Sequence, residues 1–266
     1  MLSEFEVAAI QKFTLGVTMP ILVEAPDGSV CLLATGTLFR IGEQHLIITA
    51  RHVFDDVMPE WLAYPAAPMG GDTHTLGEYT VFKPKEKHVD VAVLRLESAE
   101  TIDRLTKSWQ FLSLENVARP VDNAPDKAFF VAGYPGAMTQ MVGAKLHGNF
   151  VAVYSQLIPE TPLEAKKPVV PDLDMFFDYG KKAQKVGGGE IDSPELPGVS
   201  GASVWQIGQV DGIWTPEAAV RVVGVQSSYK HSEFFRAKSW LAVAQVLDQI
   251  DEGLALSIRT HLNSGK

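Results

Sequence analysis

Residues 194–205 read PELPGVSGASVW, and three of them, Gly198, Ser200 and Gly201, put minimal side chains just ahead of an apolar run. A strand at that point would carry β-branched or aromatic residues. The bareness predicts instead a tight loop that exposes a serine hydroxyl and turns main-chain N–H groups toward one place.

Outward from this loop the chain is made of short strand-like runs. Before it lie VTMPILVEA, a PDGS break, VCLLATGTLFRI, a GEQ turn and HLIITA, then TLGEYTVFK and VDVAVLRLE. The DG and GE breaks between β-rich runs are hairpin signals. After a polar segment with two prolines (113–127), which predicts a linker between two halves, come AFFVAGYP, NFVAVYSQLI, DMFFDYG, GASVWQI and AAVRVVGVQSS. Many short strands with few helices between them predict barrels or sandwiches rather than a parallel sheet. Residues 3–13 predict a helix. From Ser239 onward Leu241, Val243, Ala244, Val246, Leu247, Ile250 and Leu254 follow a helical period. A long irregular insertion, 159–196, is rich in Pro, Lys and Gly, and its VGGGE tract reads as a mobile loop.

Composition excludes several classes. The chain has 266 residues, 46% hydrophobic and 21% charged, so it can bury a large core. A net charge of −9 argues against nucleic acid or an anionic membrane as partner. No run reaches the roughly 18 apolar residues of a membrane helix, and Glu4 and Glu6 stand where a signal peptide carries positive charge, so a cytoplasmic location is expected. Cys31, the one cysteine, lies in an apolar run and reads as a small buried hydrophobe.

A serine hydroxyl needs a base within hydrogen-bond reach, and that base needs a carboxylate to hold its tautomer. His52 stands directly after an apolar strand in LIITARHVF, and Asp90 opens an otherwise apolar strand in KHVDVAVLRL. An unpaired charge there would cost several kcal/mol, on the order of 2–7 for buried polar groups, so Asp90 should have a partner. The other histidines (45, 74, 88, 147, 231 and 261) read as surface or packing residues. His45 and His52 lack the context of metal ligands, and no metal or cofactor is expected.

The order TARHV, DVAVLRL and GVSGASV resembles that of the trypsin-like, chymotrypsin-fold serine peptidases over residues 17–250. The resemblance implies an all-β fold of two six-stranded antiparallel β-barrels with an N-terminal and a C-terminal helix. It places a helical extension at 1–16, a first barrel with His52 and Asp90 at 17–115, a second barrel with Ser200 and the insertion at 125–238, and the C-terminal helix at 239–262. His52 would be general base and then acid, Asp90 its orienter and Ser200 the nucleophile. The N–H groups of Gly198 and Ser200 would form the oxyanion hole, and Gly198→Val would hurt turnover far more than folding. Pro194 would lie at the base of the specificity pocket, Ser227 on the strand that pairs with substrate backbone, and Tyr229 would narrow the entrance, with Asp192 and Glu195 nearby.

The sequence departs from the secreted enzymes at Val199, where they carry an acidic residue that binds a newly cut N-terminus, so zymogen-type activation is expected to be absent. The resemblance implies an intracellular bacterial endopeptidase acting on a protein or peptide substrate. A regulatory partner from a stress or antiphage system would be the trigger. A pseudo-protease or peptide-binding module, and an esterase with the same acyl chemistry, remain as alternatives.

Overall fold

The computed structural model of the chain describes residues 2–24, 29–55, 62–68, 70–119, 127–142, 145–184 and 190–264. Helix α1 (Glu4–Val17) starts from Ser3, whose hydroxyl accepts from Glu6 N–H while the Glu6 carboxylate accepts from Ser3 N–H. It runs straight into β1 (Thr18–Glu24). There follow β2 (Val30–Ile41), β3 (Gln44–Thr49), β4 (Leu62–Ala67), β5 (Gly70–Thr75), β6 (Tyr79–Phe82), β7 (Ala92–Leu96) and helix α2 (Ala99–Ser108). The second half holds β8 (Phe129–Gly133), β9 (Thr139–Val142), β10 (Lys145–Gly148), β11 (Val151–Ser155), β12 (Leu157–Ile158), β13 (Asp174–Asp178), β14 (Lys182–Gln184), β15 (Glu190–Asp192) and β16 (Ser203–Ile207). It ends with α3 (Pro216–Ala219), β17 (Val220–Lys230), β18 (Phe234–Ser239), α4 (Trp240–Leu247) and α5 (Glu252–Asn263).

The chain is mostly β, with two antiparallel sheets, one a half-barrel, and helices at both ends: the all-β class expected. Among the described residues the strands divide as nine (β6-β7-β3-β2-β1-β4-β5-β10-β9), seven (β11-β8-β16-β17-β18-β13-β12) and a separate pair (β14-β15) rather than six and six. Two of the nine come from a crossing hairpin, in which β10 pairs with β5 through Lys145↔Asp72 and Leu146↔Gly71 and so extends the first sheet with strands from the second half.

Alternate residues along the central strands enter different cores. Ile47, Ala92 and Leu94 point into the first half's interior, while Leu46, Ile48, Val91 and Val93 point into a core shared with the second half. In the second half Phe129, Val131 and Val204 line the local interior, and Phe130, Ala132 and Trp205 join the shared core. Strands buried on both faces read as unbroken apolar runs rather than alternations. That is why VDVAVLRL and HLIITA are apolar at most positions on both faces, and why a charged residue such as Asp90 stands out.

Several local expectations are corrected. Cys31 is exposed, because it alternates with Val30 and Leu32, which pack on Leu22, Ala63 and Leu146, and so lies on the opposite face of β2. The C-terminal segment is two helices, not one: after Leu247 the chain turns, and Asp251 caps α5 by accepting from the N–H groups of Gly253 and Leu254. The insertion is not irregular throughout, since β13 lies inside the seven-stranded sheet and β14 pairs with β15. Most of the VGGGE tract, the PDG turn and residues 120–126 of the expected linker lie outside the described residues.

Candidate active site

His52 lies in a 3-10 turn, Arg51–Phe54, one residue beyond the end of β3. The β3–β7 register, ending at Thr49↔Ala92, brings that turn level with Asp90. One Asp90 oxygen accepts from the His52 backbone N–H at 2.9 Å, and the other meets His52 Nδ1 at 2.9 Å. The carboxylate thus fixes both the backbone and the ring, leaving Nε2 free to act as base. Arg51, which sequence reasoning passed over, anchors the turn through Nε to the Pro84 carbonyl at 3.0 Å and Nη1 to Asp55 at 2.9 Å. Burial is the largest influence on the His52 pKa and lowers it, as does Arg51. The hydrogen bond and charge of Asp90, together with the Asp55 charge, outweigh them and leave it above its ordinary 6.5.

Ser200 is brought to the same place by contacts across the two sheets. Its carbonyl accepts from Thr35 N–H at 3.0 Å. At Gly201, with φ of +91°, a Cβ would sit 2.0 Å from Thr49 Oγ1 and 2.7 Å from the backbone N of Ala50, two residues before His52. Only glycine fits there, both for the backbone conformation and for the approach. The carbonyls of residues 197–200 are all engaged: besides that of Ser200, Pro197 accepts from Gly136 N–H at 2.7 Å, Gly198 from Thr35 Oγ1 at 2.7 Å, and Val199 from Ala202 N–H at 2.9 Å. Among the described residues the N–H groups of Gly198 and Ser200 meet no acceptor. This is the arrangement a developing oxyanion requires. Ser200 Oγ and His52 Nε2 make no hydrogen bond to each other among the described residues, which is common before substrate binds.

Thr35 was not singled out by sequence, yet it holds the loop by two bonds, its N–H to Ser200 and its Oγ1 to Gly198, while the same Oγ1 accepts from Tyr134 N–H after β8 at 3.2 Å. A hydroxyl inside the apolar run LLATGTLF was its signal. Gly198, with φ of +92°, cannot take valine as a purely functional change. A Cβ there would lie 2.7 Å from the Tyr134 carbonyl, so Gly198→Val also strains the fold. Val199 is buried in the second half's interior, and apolar packing holds the loop where an ion pair would otherwise.

The expected specificity residues sit beside the loop. Pro194 offers its carbonyl to the Tyr179 hydroxyl. Tyr229 donates to Glu195 at 2.8 Å, and its own pKa is pushed up to about 12 by burial and by that carboxylate. His231 Nδ1 lies 3.6 Å from the same Glu195, so the three residues form one cluster. Asp192 is instead paired with Lys182 at 2.7 Å. The Ser227 side chain is buried and donates to the Arg236 carbonyl at 3.4 Å. Strand β16 covers β17 only as far as Ser203↔Val225, so next to the serine loop β17 has an edge that no described strand covers. A cavity of 570 Å³ lies elsewhere, between Leu157, Asp172 and Phe176 and the C-terminal residues Trp240 and Leu262.

No protein-family profile and no curated protein matches the sequence. Among solved structures, the inactive form of the Rv3671c protease is similar at 16% identity and a TM-score of 0.48, covering 94% of this chain and 96% of that one. Another is a chain solved in work on aromatic interactions that drive the coupled folding and binding of the intrinsically disordered Sesbania mosaic virus VPg protein. Its identity is 13% and its TM-score 0.45, over 86% of this chain and 89% of that one. Among the described residues no helix is long and apolar enough to cross a membrane, and no group of three or more His, Cys, Asp and Glu could hold a metal.

Proposed function

We propose that the chain is a trypsin-like serine endopeptidase, with Ser200 as nucleophile, His52 as general base and acid, and Asp90 as orienter. The observation that carries this reading is the two-point grip of Asp90 on His52 beside a serine loop whose carbonyls all turn elsewhere. His52 Nε2 takes the Ser200 proton as Oγ attacks the substrate carbonyl carbon, and the Gly198 and Ser200 N–H groups receive the oxyanion. The imidazolium then gives its proton to the leaving amine, and water attacks the acyl-enzyme by the same route. Substrate backbone adds to the uncovered edge of β17 at residues 227–229, with Glu195 and Tyr229 at the pocket mouth. The substrate is a protein or peptide met in the cytoplasm of a bacterium, and a regulatory protein partner triggers cleavage.

The unmade bond between Ser200 and His52 favours a second reading, a fold kept for peptide binding without turnover. Labelling with a fluorophosphonate separates the two. The peptidase reading expects covalent labelling at Ser200 that is lost in Ser200→Ala and strongly reduced in His52→Ala. Peptide binding with no labelling in the wild type would select the second reading, and turnover of esters but not of peptides would mark an esterase.

A further inference from the structure

Gln226 of β17 is 0% exposed, and among the described residues neither its Oε1 nor its Nε2 has a hydrogen-bond partner. Turning the amide over exchanges the two atoms and satisfies neither. A buried amide unmet at both ends is costly to keep, and in a folded chain it calls for a reason.

Its position supplies one. The Gln226 main chain is bonded to the two residues that follow Ser200: its carbonyl accepts from Gly201 N–H at 2.8 Å, and its N–H donates to the Ala202 carbonyl at 2.8 Å. The side chain faces the second half's interior, because Gln226 stands opposite Ala237 of β18, which lines that interior, while its neighbour Val225 belongs to the shared core. Leu196, Val199 and Ala202 of the serine loop close the same interior. The register of β17 on β18 skips a residue at Ser227, so the next side chain on the Gln226 face is Tyr229, opposite Phe235. Tyr229 is only partly buried, and its hydroxyl donates to Glu195 at 2.8 Å. The amide therefore sits beneath the serine loop, with Tyr229 on its solvent side.

We propose that Gln226 is a specificity-determining residue, the floor of a pocket that takes a primary carboxamide side chain, Gln or Asn, on the substrate residue whose carbonyl Ser200 attacks. This rests on the peptidase reading. A carboxamide carries both a donor and an acceptor, so one such group meets Oε1 and Nε2 together. A carboxylate would accept from Nε2 but leave Oε1 unmet, and it would approach the Glu195 charge. An ammonium would donate to Oε1, leave Nε2 unmet and enter an interior lined by Leu196, Val199 and Ala237. Entry requires the Tyr229 ring to turn aside, and the bond it gives up is to an exposed carboxylate.

The test has two readouts in the full chain. Peptide libraries cut by wild type and by Gln226→Leu, with the new termini read by mass spectrometry, report which residue precedes the cleaved bond. Wild type should cut after Gln or Asn. Gln226→Leu should lose about 10²-fold in kcat/KM for those peptides and turn toward Leu or Met. Because it replaces an unmet amide with an apolar group of similar size, Gln226→Leu should unfold at no lower temperature than wild type, and Gln226→Met serves where Leu packs badly. Cutting after acidic, basic or apolar residues, or a Gln226 variant that keeps the Gln preference, overturns the proposal. The second readout needs no turnover. In the Ser200→Ala chain the Gln226 side-chain amide resonance, assigned with Gln226→Leu, is followed by NMR as hexapeptides with a central Gln, Glu or Leu are added. It should shift with the Gln peptide alone, and an unmoved signal overturns the proposal. A shift in a protein whose wild type neither cleaves nor labels at Ser200 would keep the pocket and remove the peptidase reading.

Discussion

His52 feels opposing influences, and their balance sets a pH dependence. In the peptidase reading its neutral form is the base, and the net effect of Asp90 and Asp55 against burial raises its pKa above 6.5. Labelling of Ser200 should therefore fall as pH drops through a midpoint above 6.5, with full rate only on the alkaline side. Asp90→Asn removes the two larger raising influences and leaves burial opposed by the Asp55 charge alone, so the midpoint should fall below that of the wild type. The amide also stops accepting as a carboxylate and no longer holds the tautomer, so the rate should drop by about 10⁴. Stopped-flow labelling across pH reads both effects, and an unchanged midpoint in Asp90→Asn would refute the assignment. At this scale the sequence was most informative: Asp90, opening an apolar strand, announced that it had a partner. The buried ion cluster of Asp174 on β13 with Arg236 and Lys238 on β18 gave no such sign, because FFRAKS alternates as a strand with one wet face would, and only pairing with β13 buries that face.

At the scale of elements, the serine loop depends on β2 and β3 as much as on its own residues. Thr35 and Thr49 press against it so closely that Gly201 has no room for a methyl group. Gly201→Ala should cost at least about 2 kcal/mol, from left-handed backbone strain and from backbone contacts that cannot yield. For a chain of this size that is a drop of roughly 4–8 °C in Tm, measurable by calorimetry. A Tm equal to wild type would mean that the loop does not dock as described. Helix α2 was missed in reading the sequence, although Ser98 caps it and Glu100–Arg104 and Asp103–Lys107 pair along it. Cap and pairing were visible, but the apolar stripe was too thin to suggest a helix inside a β-rich half. The break between α4 and α5 was hidden because apolar spacing continues across it.

Across the whole molecule, the candidate site straddles the boundary of the two large sheets, and one shared core joins them. Trp240 at the head of α4 packs edge-on against Phe39 of β2, with ring centroids 4.8 Å apart, inside that shared core. Trp240→Ala should cost about 3–5 kcal/mol and lower Tm accordingly. Because the Asp90 strand lines the same core, the rate of labelling should fall along with stability, and full activity after such a loss would show that the halves are not coupled through it. The crossing of β10 onto β5 belongs to this scale too. Nothing in TQMV or KLHG names the strand it will meet, since a partner for an edge is chosen by whichever edge the rest of the fold leaves nearby.

The sequence alone determined the all-β class and the helical ends and pointed to three candidate side chains with a bare loop, because those readings depend on periodicity, on glycine's backbone freedom and on the cost of a lone charge in an apolar run. Tertiary structure alone decided the division of the strands among the sheets, the exposure of Cys31, the Thr35 latch and the burial of Arg236 and Lys238 around Asp174. Each of these depends on which distant surface covers a residue, and a side chain carries no local mark of the neighbour that will remove it from water.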